Sequence, residues 1–269
     1  MRILRRRKNR IAIVDVDGII TDSRIGASRE KVVADLERAE QIKARAVVLR
    51  INSPGGTVGA SQEIHQAVVR LRKRGFPVVA SLGDVAASGG IYVAVAADRI
   101  VANPGTVTGS IGVILKSSNL RALYQKIGVE SEVVKSGPYK DLLSTFRPLT
   151  AEERQLLQGL IDDTYNQFVT AVANGRNLAA EQVRNFADGR IFTGQQAKEL
   201  GLLDELGGQQ RAIDLAAEMV RMVGKPNVVQ ISTRKRGWLA RLFGAVEKIE
   251  FELEFLRSLA GIPLWLMPM

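Results

Sequence analysis

Short runs dense in Val and Ile alternate along the chain with segments whose apolar residues recur every three or four positions. Residues 10–16 (RIAIVDV), 46–51 (AVVLRI), 77–81 (PVVAS), 111–115 (IGVIL) and 130–135 (ESEVVK) carry the first pattern and are predicted strands. Residues 28–43, 58–73, 88–97 and 118–127 carry the second. In 58–73 the positions Ala60, Ile64, Ala67, Val68 and Leu71 fall on one helical face. Strands alternating with helices predict parallel βαβ units in an α/β domain. From residue 150 helices predominate. Thr150 followed by Glu153 has the form of a capping box, opening a helix to about 173. Further helices are predicted near 179–186, 193–200 and 207–222, with short strands at Arg190–Phe192 and Leu202–Asp204.

The stretch 236–269 has its own pattern. Leu239, Leu242, Phe243, Val246, Ile249, Leu253, Leu256 and Ala260 recur at helical spacing, beside Trp238, Arg241, Lys248 and Arg257. Two readings fit: a helix docked on the body or on a neighbouring subunit, and an amphipathic segment at a membrane interface. Residues 250–255 alternate Glu with Phe and Leu, as a strand would. The expected organisation is a tail over 1–10, one domain over 11–223 and an amphipathic extension over 224–269.

Charge sharpens this division. The 269 residues carry a formal net charge of +10. Residues 1–10 hold six Lys/Arg and no acid, and 225–269 hold seven against four Glu. The body between them has 25 basic and 24 acidic residues, so the excess lies at the ends. No aromatic-interleaved basic motif marks a nucleic-acid surface, and no nucleic-acid partner is expected. No apolar run of 18–20 residues predicts a transmembrane helix. Two Asp interrupt the apolar stretch behind the basic start, so no cleavable signal peptide is expected either. A cytoplasmic protein follows, with peripheral contact to an anionic membrane surface through its basic ends. The smallest counts exclude most. With no cysteine there is no disulfide, thiol nucleophile or iron–sulfur cluster, and one histidine, His65, excludes a multi-histidine metal site. No metal and no cofactor are expected.

Three loops carry the candidate chemistry. Ser53-Pro54-Gly55-Gly56-Thr57 joins a strand to a helix, where backbone N–H groups can hold an oxyanion. It fits neither a Walker A loop nor a dinucleotide fingerprint. Ala86-Ala87-Ser88-Gly89-Gly90 places a serine among small residues at a helix start. That serine is either an N-cap or a nucleophile whose oxyanion the Gly89 N–H would help to bind. Lys135-Ser136-Gly137-Pro138-Tyr139-Lys140-Asp141 sets Lys140 after a Gly-Pro turn. Lys140 is a surface cation unless its pKa falls several units from about 10.4, which a general base requires.

The combination of SPGG, AASGG, Thr108-Gly109-Ser110-Ile111-Gly112 and KSGPYKD resembles the signal peptide peptidase A family. These are protease IV-like serine–lysine peptidases, here in a half-length form. The resemblance covers about residues 10–223, and all four motifs match in order and spacing. It implies the Clp protease/crotonase-like fold, a spiral of ββα units, followed by a helical extension. It implies Ser88 as nucleophile, Lys140 as general base, Ser110 as the group orienting that lysine, and Gly55, Gly56 and Gly89 as oxyanion-hole donors. Which loop glycine donates is left open. It further implies cleaved signal peptides or other membrane-derived extended peptides as substrates. A homo-oligomer whose subunits share active sites is the implied assembly. His65 precedes the serine in sequence, unlike the Clp protease histidine, and is expected to be a partly exposed helix residue. The competing readings are a crotonase-like acyl-CoA enzyme, in which Ser88 and Lys140 have no role, and a catalytically silent membrane-surface scaffold.

Overall fold

The computed structural model describes residues 9–23, 26–231 and 264–266, the last three as backbone. The body is built on a mostly parallel sheet. Its backbone is β1 (Arg10–Asp17), β4 (Ala46–Ser53) and β6 (Val78–Ala87), with β7 (Arg99–Ala102) and β10 (Glu205–Leu206) beyond β6 and β11 (Asn227–Ile231) beyond β1. β8 (Val107–Gly109) pairs parallel with the far half of β6 and antiparallel with β9 (Ile191–Thr193). A small second sheet comprises β2 (Ile20–Thr21), β3 (Ala27–Ser28), β5 (Gly55–Thr57) and β12 (Leu264–Leu266), in the order β12-β5-β2-β3.

The central strands read as near-continuous apolar runs because both their faces are covered, as parallel sheets require. Ile11, Val14, Val47, Val48, Leu49, Val78, Val79 and Ala80 have no exposure. On one face α8 (Gln209–Met219) lays Ala212, Ile213, Leu215 and Ala216 against Ile11, Ile13, Val48, Val79 and Val101. Helices α1 (Arg29–Gln41) and α2 (Val58–Lys73) pack on each other. The stripe expected in α2 is its buried face: Ala60, Ile64, Ala67, Val68 and Leu71.

The long strand β6 serves two neighbours in turn. Val79–Ser81 pair with β7, and Val85–Ala87 pair with β8. Between the two, the register against β4 slips from Ile51↔Leu82 to Ser53↔Ala86. The extra residues are held by Asn52, whose Oδ1 accepts the backbone N–H of Asp84 and of Val85. A side chain at Gly83 would come 2.7 Å from that same Asn52 oxygen. The bulge bends the end of β6 away from β7 and aims it at β8.

Helices α3 (Gly89–Ala94), α5 (Ala151–Arg176), α6 (Ala180–Arg184) and α7 (Gly194–Glu199) lie where helical spacing placed them, each within a few residues. The Thr150–Glu153 box forms: Glu153 N–H donates to Thr150 Oγ1, and Thr150 N–H donates to Glu153 Oε2. Three expectations are corrected. The strand at 111–115 is absent, and β8 lies just before it. Ser110, at φ 51°, turns the chain out of the sheet and gives its N–H to Arg190 O. The strand at 130–135 is absent too, its residues exposed with no strand beside them among the described residues. The short strand expected at Leu202–Asp204 forms immediately after it, as β10. No strand was expected at β11, which closes the sheet edge at β1 in parallel register, Arg10↔Asn227 to Val14↔Ile231.

The chain divides into two compact units. One holds 9–112, 167–231 and 264–266 of the described residues; the other is 113–166. The second contains α4 (Arg121–Lys126), with Tyr124 stacked 4.1 Å from Phe146 and Leu120 N–H bonded to Thr145 O. The helical pattern at 236–260 and most of the basic start, 1–8, lie outside the described residues. No helix among the described residues is long and apolar enough to cross a membrane.

Candidate active site

Ser88 stands at the junction of β6 and α3. Its backbone is at φ 51°, ψ −118°, a conformation that costs a non-glycine residue of order 1–3 kcal/mol. Two hydrogen bonds fix it there. Ser88 N–H donates 2.8 Å to Gly109 O, and Ser88 O accepts the Tyr92 N–H at 3.0 Å. Ala86 and Ala87 are fully buried, and Gly90 fits only because a Cβ there would come 2.9 Å from Ser53 O. The serine could have been an ordinary N-cap, but its side chain makes no cap hydrogen bond. A strained strand-to-helix turn with a hydroxyl not used as a cap is the local geometry of a nucleophile elbow, here with the serine buried.

The Ser53–Gly56 turn supplies the second wall. Gly55, at φ 111°, donates its N–H to Ser53 Oγ at 3.1 Å. That amide is therefore engaged within the turn. Gly56 can be nothing larger, since a Cβ there would lie 1.8 Å from Ile20 O, across the β2–β5 pair. Gly89 is the first residue of α3, so its N–H is one that the helix leaves unpaired.

Ser110 is next to Gly109, the residue that anchors Ser88, and Ala87 and Gly109 are register partners. Both serines thus follow paired strand ends, each at φ 51° and each nearly buried. Ser88, Ser110, Gly55, Gly56 and Gly89 belong to one unit; Lys140 belongs to the other. Lys140 is exposed in a turn, its N–H bonded to Gly137 O, and its ammonium has no hydrogen-bond or ion-pair partner among the described residues.

Its neighbours are tied down. Asp141 accepts from Arg147 and from Lys135, the latter at 2.6 Å, and these hold its carboxyl well below the usual range. Arg147 reaches on to Glu153, whose pKa falls to about 2 through that contact and the Thr150 N–H. Spacing singled out Lys140 and the capping Glu153. Arg147, which joins Asp141 to Glu153, carried no signal of its own because arginines are common on surfaces. His65 rests its ring 4.9 Å from that of Tyr92, half-buried as expected. Burial, then Arg72, lowers its pKa to about 4, so it is a neutral packing residue. No cluster of metal-ligating side chains occurs among the described residues.

Comparisons with known proteins bear on the family and the fold. The model of peptidase family S49 matches residues 70–222. A Synechocystis protein named "Putative protease slr0021" is 46% identical over 274 residues, covering 96% of each chain. Protease 4 of Salmonella typhi is 38% identical over 219 residues, covering 79% of this chain but 35% of that longer protein. Among solved structures, a ClpP1 mutant from Listeria monocytogenes superposes with a TM-score of 0.52 at 18% identity, over 79% of this chain and 98% of that one. The fold is the Clp protease fold.

Proposed function

The chain belongs to peptidase family S49, and on that premise we propose that it is a serine endopeptidase working through a Ser88/Lys140 dyad. The observation that carries this reading is the Ser88 turn, with its strained backbone and a hydroxyl not used as a cap. Lys140 takes the Ser88 proton as Oγ attacks the substrate carbonyl. The oxyanion is held by the N–H groups of Gly56 and Gly89. Protonated Lys140 then passes its proton to the leaving amine, and water activated by Lys140 releases the acyl group and restores Ser88. Ser110, on the strand end beside Ser88, orients the lysine. The dyad uses neither histidine nor thiol nor metal, consistent with a chain that has one histidine and no cysteine.

The base comes from a neighbouring subunit in this reading. Two features support it: the unpartnered ammonium of Lys140, and the apolar residues that its unit exposes. Leu123, Ile127, Val133 and Val134 stand in solvent, Val134 at 95% exposure, on a scale that marks a contact surface. The substrates are extended peptides, such as cleaved signal peptides, presented near an anionic membrane surface that the basic ends approach.

Hydrolysis of a short apolar peptide tests the assignment. Ser88→Ala and Lys140→Ala each lower kcat/KM by at least about a thousandfold with oligomer size unchanged, and Ser110→Ala lowers it about tenfold. Retained activity in Lys140→Ala removes the dyad.

A further inference from the structure

We infer that the end of the body at which its parallel strands begin docks on an anionic bilayer, with the Ser88 turn held at the opposite end. The docking face stands without the peptidase reading; what it means for substrates rests on Ser88 as nucleophile. The register pairs Arg10↔Asn227, Ile11↔Ala46 and Val47↔Val78 set the starts of β11, β1, β4 and β6 side by side. The segments leading into these strands are basic: Lys43 and Arg45 before β4, Lys73 and Arg74 before β6, Arg221 and Lys225 before β11. Hydrogen bonds tie the segments to one another. Arg10 donates to Ile42 O, Arg45 to Val220 O, and Asn9 Nδ2 to Val223 O. Arg74, just past α2, pairs with Glu40 of α1.

The body is nearly neutral in sum, so its charge is sorted rather than in excess. Glu40, Asp98 and Glu218, acids at this same end, are each taken up by an arginine: Arg74, Arg72 and Arg211. Lys43, Lys73, Arg221 and Lys225 are exposed, and their charged groups have no ion-pair partner among the described residues. Residues 1–8, which lead into β1, add five Lys/Arg and no acid. At an anionic surface each such cation raises partitioning about fivefold. Charge by itself would suit any polyanion. The loop before β11 narrows the choice, because Val223 stands 85% exposed between Arg221 and Lys225, and Met219 is exposed beside them. An apolar tip flanked by cations suits headgroups over hydrocarbon, where both parts gain. On a nucleic acid the valine stays in water. Strand β6 runs ten residues, from Val78 to Ala87, so Ser88 lies about 30 Å from this face. A docked chain therefore reaches peptides that have left the bilayer, not segments still inside it.

The test is flotation of the full chain with phosphatidylcholine vesicles containing about 30% phosphatidylglycerol, at about 0.1 M salt. The unaltered chain is expected to bind these and not vesicles of phosphatidylcholine alone. Lys43→Gln, Arg221→Gln and Lys225→Gln together lower the affinity at least about tenfold, although residues 1–8 are intact. The same loss of charge on residues away from the strand starts, Lys116→Gln, Arg121→Gln and Lys126→Gln, lowers it less than about twofold. Val223→Ser lowers it at least about threefold by removing the apolar contact. Equal losses in the two triple variants, or no loss in the first, overturn the inference. So does a DNA duplex of about 20 base pairs bound as tightly as the vesicles at the same salt, with Val223→Ser changing neither. Ser88→Ala binds vesicles like the unaltered chain, so a failed peptidase reading leaves the docking face standing. Failure of vesicle binding in turn leaves the peptidase reading untouched.

Discussion

The Ser88 backbone is held at an angle few serines adopt, by one hydrogen bond from its N–H to Gly109 and one from Tyr92 to its carbonyl. Strain of this kind persists only where the surroundings over-determine it, and here small residues supply the fit. The same turn could be anticipated from sequence, because Ala-Ala-Ser-Gly-Gly leaves space around one hydroxyl. What was not legible is the use of Ser53 Oγ by the Gly55 amide. A side-chain-to-backbone bond over two residues leaves no mark in composition or spacing. His65 allows a separate check. Its pKa, lowered from about 6.5 to about 4, means the unfolded chain binds the extra proton first as pH falls. The stability from keeping it neutral is complete above about pH 6.5 and is lost progressively toward pH 4, on the order of 3 kcal/mol in all. His65→Gln should flatten that part of the pH–stability curve, followed by urea unfolding, and should keep peptidase activity. Loss of activity would give His65 a part in the reaction.

Among the elements, the strands of the body were readable because burial on both faces forces continuous Val/Ile runs. The failures were residues 111–115 and 130–135, which have strand-like composition without strand pairing. Composition reports what a pleated surface tolerates, whereas a strand exists only where a neighbour offers a ladder. Ser110 breaks the first, and the second has no neighbour among the described residues. β12 shows the converse, a pairing set by an edge and not by a long pattern. Gly56→Ala tests how tightly the small sheet is made: with a Cβ 1.8 Å from Ile20 O, the β2–β5 pair must open. A loss of about 2–4 kcal/mol in stability, together with loss of hydrolysis, is the expected outcome. The turn carrying Lys140 is held by Lys135, Asp141, Arg147 and Glu153. Glu153 has its pKa depressed to about 2, chiefly by Arg147, so its contribution is present above about pH 4.5 and is lost as pH falls toward 2. Arg147→Met should lower the melting temperature at neutral pH and remove that acid dependence. It should also reduce kcat by loosening the segment that holds Lys140. An unchanged acid limb would mean that Glu153 is held by its Thr150 contact alone.

At the scale of the whole molecule, the proposed nucleophile Ser88 and the proposed base Lys140 belong to different compact units of the chain. The proposed association of chains draws on the exposed apolar residues of 113–166. Ser88→Ala chains and Lys140→Ala chains, each inactive alone, should regain part of the activity when mixed and allowed to exchange subunits. No recovery despite proven exchange would place both groups in one chain. The net charge of +10 belongs at this scale as well, since it is concentrated at the ends of the sequence rather than around the site. The most direct measurement of the central claim is labelling by a fluorophosphonate, located by mass spectrometry after digestion. The account predicts a single modified serine, Ser88, in the unaltered protein, with labelling reduced at least about a hundredfold in Lys140→Ala. Modification at another serine, or undiminished labelling of Ser88 without Lys140, would contradict it.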